Sequence, residues 1–233
     1  MDAADLRALL SGSPTEVEPW IRSAAEQGEA WAQLRLGQMY LDGAGVPADQ
    51  TQARAWFSRA AARGLAEAMN MIGRCHENGW GGPPDPGMAA AWYRRSAETG
   101  HDWGQYNYAH MLFDGRGVPA DPAKAVHWYR RAADQGHARA MNLLARCLEE
   151  GWGTPQDPAA AASWYRRSAE GGYFRGQFNH AALLAAAGHI QEAAAQFAEA
   201  LDSAPAEARV SLAATLARHP DPRLAALSGV TIA

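Results

Sequence analysis

The sequence predicts an all-α fold, a right-handed α-α superhelix (solenoid) of about five to six helical hairpin repeats. Three observations carry that prediction. Trp20, Trp56, Trp92, Trp128 and Trp164 recur every 36 residues, and Gly28, Gly64, Gly100, Gly136 and Gly172 keep the same period. Paired loop glycines follow it too, from Gly43 and Gly45 to Gly151 and Gly153. Between the glycines, apolar and small residues recur three and four apart, as in Ala32, Leu36, Gly37 and Tyr40, which is the spacing of one helical face. A period of this length marks a stack of supersecondary units that cannot bury their apolar faces alone.

Each repeat reads as two helices. The first runs to a glycine that can adopt positive φ and stop it. A loop of the GAGVPAD or GWGGPPDP kind follows. Asp85-Pro86, Asp121-Pro122 and Asp157-Pro158 then supply an N-cap aspartate before a proline at the first helical position, a strong start signal. Small residues held in register (Gly37, Gly73, Ala109, Ala145 and Ala181; Ala60, Ser96, Ala132 and Ser168) let helix backbones approach one another.

The expected organisation follows from this register. Residues 1–28 form a half-matching repeat with a short first helix near Ala3–Leu10. Four full repeats span 29–65, 66–101, 102–137 and 138–173. A degenerate repeat covers 174–205 and a C-terminal cap 206–233, with helices near 206–218 and 222–227. Segment 66–101 matches 138–173 at 23 of 36 positions and 102–137 at 13, so a two-repeat block was duplicated.

Composition narrows the function. With 21 basic and 25 acidic residues the net charge is −4, unlike a nucleic-acid-binding domain. No apolar run reaches the roughly 20 residues that span a bilayer. The opening MDAADLRALL has acids where an export leader has bases. The expectation is a cytoplasmic chain with neither nucleic-acid nor membrane partners. Cys75 and Cys147 occupy matching places two repeats apart and read as packed thiols. No phosphate loop, nucleophile elbow or HExxH pair occurs, so no catalytic residue, metal or cofactor is expected. In Cys75-His76-Glu77 neighbouring helical residues point different ways. His101 and His137 are read as helix-end groups near carbonyls. The WYRR strings at 92–95, 128–131 and 164–167 read as a core Trp-Tyr pair with solvated arginines beside glutamates such as Glu98 and Glu170.

If Leu36, Gly37 and Tyr40 face the core, the first helices direct another set of residues into a concave groove. These are Trp31, Leu34 and Gln38; Glu67, Asn70 and Arg74; Trp103, Tyr106, His110 and Phe113; Arg139, Asn142 and Arg146; and Arg175 and Phe178. Asn70/Arg74 and Asn142/Arg146 are i,i+4 pairs repeated 72 residues apart. Asparagine can hold a peptide backbone through a donor and an acceptor, and arginine can grip a carboxylate with two bonds. Aromatic anchors add rigid contact area. The expected partner-binding set is therefore Trp31, Asn70, Arg74, Trp103, Tyr106, His110, Asn142, Arg146, Arg175 and Phe178. The expected partner is another protein or an extended peptide lying across repeats two to four.

Gly115, Gly117, Val118, Asp121, Lys124, Ala125, Trp128, Tyr129, Ala132, Ala133 and Gly136 make the chain resemble the Sel-like repeat (SLR) family, a relative of the tetratricopeptide repeat whose unit looks like AxxxLGxxYxxGxGVxxDxxKAxxWYxxAAxxG. The resemblance covers roughly residues 29 to 173. Departures include Trp80 and Trp152 between loop glycines, and His76, Leu112 and Leu148 where the family has tyrosine. The resemblance implies a bacterial adaptor or scaffold with no catalytic activity. Some secreted relatives are cysteine-rich and described as β-lactam-active, but their paired cysteines are missing here. That enzyme class and a self-assembling structural role stand as the alternatives.

Overall fold

In the full repeats an aspartate sets the start of the second helix. Asp49 Oδ1 accepts from the Thr51 and Gln52 N–H groups, Asp85 Oδ1 from Met88 at 2.9 Å and Asp157 Oδ1 from Ala160 at 2.9 Å. The aspartate's own N–H returns to the preceding helix, Asp85 to the His76 carbonyl and Asp157 to the Leu148 carbonyl, each at 2.8 Å. The loop is thus closed at both ends. In a computed structural model describing residues 12–229, these signals give ten helices of 13 residues each. They are α1 (Pro14–Glu26), α2 (Ala30–Asp42), α3 (Gln50–Ala62), α4 (Ala66–Asn78), α5 (Pro86–Glu98), α6 (Asp102–Asp114), α7 (Pro122–Asp134), α8 (Ala138–Glu150), α9 (Pro158–Glu170) and α10 (Phe174–Ala186). Then come α11 (Ile190–Ser203), α12 (Ala206–Leu216), the short α13 (Pro222–Ala225) and a 3-10 turn (Ala226–Ser228). There is no strand among the described residues. The expected helix near Ala3–Leu10 lies outside them.

The chain divides into two compact units, Met1–Asp121 and Pro122–Ala233. In the first, α2 packs on α3 and α4 on α5, while the first helices α4 and α6 lie side by side. In the second, α8–α9 and α10–α11 are the hairpins, with α8 beside α10 and α12 and α13 against α11. Each unit is a stack of helical hairpins, the architecture of an all-α solenoid.

The two glycines of each loop have separate jobs. Gly115 ends α6 with φ 69°, the left-handed conformation that L side chains avoid. Gly117 lets the loop cross the N-terminus of α5. A Cβ there would come within 2.1 Å of the Pro86 carbonyl oxygen. Gly153 does the same over Pro122 in the second unit, at 2.4 Å.

The cores repeat with the sequence. Val17, Ile21, Ala25, Leu36, Met39 and Trp56 form one cluster, and Phe57, Met69, Ile72 and Cys75 belong to the next. In the second unit Ala181, Phe197, Leu216 and Leu224 close the C-terminal end. Both cysteines are free and buried. His101 and His137 close one helix and open the next. Their N–H groups donate to the Ser96 and Ala132 carbonyls in the last turns of α5 and α7, at 3.2 and 3.1 Å, which is the helix-end place that the sequence reading gave them. They are the N-cap residues of α6 and α8, and the His137 Nδ1 accepts from the Ala140 N–H at 3.2 Å. An imidazole acceptor there satisfies one of the helix's orphan donors.

Candidate functional site

Arg74 lies four residues before the end of α4 and Trp80 sits between the glycines of the following loop. The guanidinium stacks over the Trp80 ring, 5.0 Å from its centroid. In the second unit Arg146 stacks over Trp152 at 5.3 Å. Both arginines are exposed. The indole fixes the plane of the fork through a cation–π contact, and neither guanidinium makes an ion pair among the described residues. Other arginines are committed elsewhere, Arg94 to Glu98 at 2.7 Å and Arg116 to Glu77 at 2.9 Å. Arg59, Arg95, Arg131 and Arg167 lie over Trp56, Trp92, Trp128 and Trp164, three residues back on their own helices. Those four are oriented in the same way but on second helices; Arg74 and Arg146, on first helices and held by loop tryptophans, are what the duplicated block adds.

The aromatic members gather on α6. Trp103, 40% exposed, meets Tyr106 edge-on at 5.9 Å, and Tyr106 stacks on the His110 ring at 6.3 Å. His110 Nε2 is 3.6 Å from Asp114 Oδ2. In the same unit Trp31 is 45% exposed on α2. Arg175 is exposed at the start of α10, over the Phe174 ring.

Three expected ligands lie elsewhere. Asn70 and Asn142 are only 5% and 2% exposed. Their side-chain oxygens accept from the Nδ2 groups of Asn107 and Asn179, each at 2.8 Å. These asparagines join neighbouring first helices, α4 to α6 and α8 to α10. Phe178 turns to Phe197 at 4.9 Å and joins the core that closes the terminal hairpin.

Near each arginine shelf lies a matching pair, a buried tyrosine on a more exposed glutamate. Tyr93 donates to Glu77 Oε2 at 2.5 Å, and Tyr165 donates to Glu149 Oε2 at 2.7 Å. Burial, then the hydrogen bond to the carboxylate, holds both phenols well above their ordinary pKa. Burial also pushes the Cys75 and Cys147 thiols up to about 11. A thiol held protonated at neutral pH is a poor nucleophile. No set of three or more His, Cys, Asp or Glu residues is arranged to hold a metal among the described residues.

The Sel1 repeat family model matches residues 32–65, 66–101, 104–137 and 138–173. This chain belongs to the Sel1 repeat family. Repeats of this family typically serve as protein-interaction modules. A protective antigen of uropathogenic Escherichia coli that displays an SLR fold is 31% identical, with TM-score 0.74 over 92% of this chain and 47% of that one. A Sel1 repeat protein from Oxalobacter formigenes is 32% identical, with TM-score 0.74 over 92% of this chain and 64% of that one. This chain therefore spans about half to two thirds of the length of those relatives. An immunity protein from Pseudomonas aeruginosa, 16% identical with TM-score 0.55 over 86% of this chain and 80% of that one, shares the fold. No curated protein matches the sequence. No helix among the described residues is long and apolar enough to cross a membrane.

The sequence marks Trp80 and Trp152 as departures from the family pattern, and the structure places them under the arginines. The signal was present, since each stands six residues after an arginine of the duplicated block.

Proposed function

We propose that this Sel1 repeat protein is a non-catalytic adaptor or scaffold whose first-helix faces bind acidic segments of a partner protein. One observation carries the reading: Arg74 and Arg146 are exposed, stacked on Trp80 and Trp152, and unneutralised by the chain's own carboxylates. A guanidinium held in place loses little entropy when it binds a carboxylate, and Arg74 gives only one N–H to an acceptor among the described residues, Met71 Sδ at 3.6 Å. Trp31, Trp103, Tyr106 and His110 supply rigid aromatic area on α2 and α6, and Arg175 adds a further cation on α10. Asn70, Asn142 and Phe178 are left out of this set because they serve the scaffold.

The test uses immobilised extended peptides that combine acidic and aromatic residues, with scrambled and amide-substituted controls, and then fluorescence anisotropy on those selected. The acidic peptides are expected to be retained. Removing a charged hydrogen bond costs about 1.5–3 kcal/mol, so Arg74→Ala and Arg146→Ala should each weaken binding about tenfold or more. Both substitutions are on exposed side chains, so the thermal midpoint should stay within a few degrees. Equal retention of the amide controls, or unchanged affinity in both variants, refutes the proposal.

A further inference from the structure

A second site lies in the Pro122–Ala233 unit, where the terminal hairpin departs from the repeat. α10 and α11 are joined by residues 187–189, four fewer than the 43–49 that join α2 and α3. With that shortening counted, His180 stands where the repeats have Leu36 and Leu144. Gln196 stands at the place of Trp56 and Trp164, and Glu199 at the place of Arg59 and Arg167. In the first repeat this contact is apolar: Ala25, Leu36 and Trp56 share one core cluster. Here the leucine and tryptophan are replaced by a polar pair, with His180 Nδ1 2.8 Å from Gln196 Oε1. The tryptophan's volume is not refilled. A cleft of about 310 Å³ opens between α9, α10 and α11, at the lower end of the range for small-ligand pockets, about 300–1,000 Å³.

The lining has a definite chemistry. Glu170 reaches it from α9 and Glu199 from α11, while Gln177 and His180 come from α10. Arg166 also lines it and leans on Glu170, loosely, at 3.8 Å. The Glu199 carboxylate makes no ion pair among the described residues, and it stands where the repeats place an arginine. Gln177 is 9% exposed. Its counterparts Gln33 and Gln105 donate through Nε2 to the Ala25 and Ala97 carbonyls. Gln177 instead accepts from Ser203 Oγ at 3.1 Å, and its amide N–H groups have no acceptor among the described residues. The Gln177 Nε2 stays open to solvent, so it can donate to a ligand in the cleft. The cleft therefore offers a carboxylate that lacks a cation and an amide that lacks an acceptor.

We propose that this cleft receives an arginine residue of a partner peptide. The guanidinium pairs with Glu199 and with Glu170, and the arginine's main-chain carbonyl accepts from Gln177 Nε2. Glu170 gives up its loose contact with Arg166 for a shorter one. This site is separate from the arginine shelves and has the opposite charge preference, so either can stand without the other.

The experiment is a titration of the full chain with N-acetyl-arginine amide, following the side-chain amide signals of Gln177 and Gln196 by ¹H–¹⁵N NMR. N-acetyl-citrulline amide, which keeps the shape and removes the charge, is the control. Saturable shifts are expected with a dissociation constant of about 1–10 mM, and citrulline should bind at least tenfold more weakly. Glu199→Arg, an exposed change to the residue that the repeats carry, should abolish the shifts and leave the melting curve in place. His180→Leu with Gln196→Trp, which rebuilds the repeat's packing, should abolish binding and raise the thermal midpoint. Shifts that do not saturate, equal binding of citrulline, or retained binding in Glu199→Arg would each overturn the proposal. Arg74→Ala should leave this titration unchanged, which separates its failure from failure of the acidic-segment reading.

Discussion

Ser96 occupies the space that a methyl group on Gly104 would need. The Ser96 hydroxyl donates to the Ala66 carbonyl at 2.8 Å, and a Cβ built on Gly104 would lie 2.3 Å from Ser96 Oγ, 2.6 Å from its Cβ and 2.8 Å from its carbonyl carbon. The relationship repeats in the second unit, where Ser168 donates to Ala138 and a Cβ on Gly176 would lie 2.2 Å away. In the alternate repeats the same two places hold Ala60 with Ala68 and Ala132 with Ala140. Serine with glycine and alanine with alanine are thus two solutions to one helix contact. Gly104→Ala alone should destabilise by about 1–3 kcal/mol, the usual cost of overpacking. Ser96→Ala alone should cost about 1 kcal/mol for the lost hydrogen bond. The double variant recreates the alternate solution, so urea melts should show it less destabilised than the sum by about 1 kcal/mol or more. Strict additivity would show that the pair is not coupled.

A second pairing alternates in the same way. Asn70 meets Asn107 across α4 and α6, whereas one repeat earlier Leu34 packs against the cluster that contains Met71. Leu34 and Met71 stand in the registers of Asn70 and Asn107. Asn107→Met leaves the buried Asn70 amide without its partner and should cost about 1–3 kcal/mol. Adding Asn70→Leu should recover most of that, because a matched apolar pair replaces a matched polar one. A double variant no better than the single one would place the role of these asparagines elsewhere.

These pairings show what the sequence could tell and where it stopped. In the four full repeats both helices follow the 36-residue register, because aspartate caps and loop glycines act locally, within a few residues. The open face was harder. A helical wheel ranks positions by angle and carries no information on how closely the next helix leans. Asn70 and Asn142 were placed outside and lie inside, while Arg74 and Arg146, one turn further on, are exposed. Phe178 was lost for a different reason: its ring meets Phe197 of α11 in the core of its own hairpin. The stacking of Arg74 on Trp80 crosses from helix to loop, a contact that helical periodicity does not encode.

Stability should fall at both ends of the pH range, by different groups. The folded thiols of Cys75 and Cys147 titrate at about 11, against about 8.5 for a free cysteine. The folded state keeps protons that the unfolded chain loses, so the thiols' contribution is constant below about pH 8 and is lost as pH rises through the 8.5–11 window, by about 3 kcal/mol per thiol at most. On the acid side burial and then the Arg54 guanidinium depress the His76 pKa, with Arg54 Nη2 3.1 Å from His76 Nε2. A depressed histidine favours the neutral folded form, and stability is lost as pH falls below about 6.5. Urea midpoints at pH 5, 7.5 and 10 should trace this dome. Cys75→Ala with Cys147→Ala should flatten the alkaline limb, and His76→Leu, the residue type at Leu112 and Leu148, the acid one. Limbs unchanged by these substitutions would assign the titration to other groups.

The loop tryptophans give the sharpest test of how the arginines are held. Trp152 is 38% exposed, and its ring carries the Arg146 guanidinium. If the indole acts by orienting the fork, removing it should weaken acidic-peptide binding although the indole itself carries no charge. A surface cation–π contact is worth about 0.5–1 kcal/mol, so Trp152→Ala should raise the dissociation constant about two- to fivefold. Arg146→Lys keeps the charge and loses the planar fork, and should weaken binding more than Trp152→Ala. In the Trp152→Ala background Arg146→Lys should then cost less than it does alone, because lysine has less orientation to lose. This coupling is read by anisotropy on the same peptides, with the salt dependence measured alongside, since a pure charge effect would be screened equally in every variant. Full additivity of the two substitutions would mean that Trp152 contacts the ligand itself and does not position Arg146.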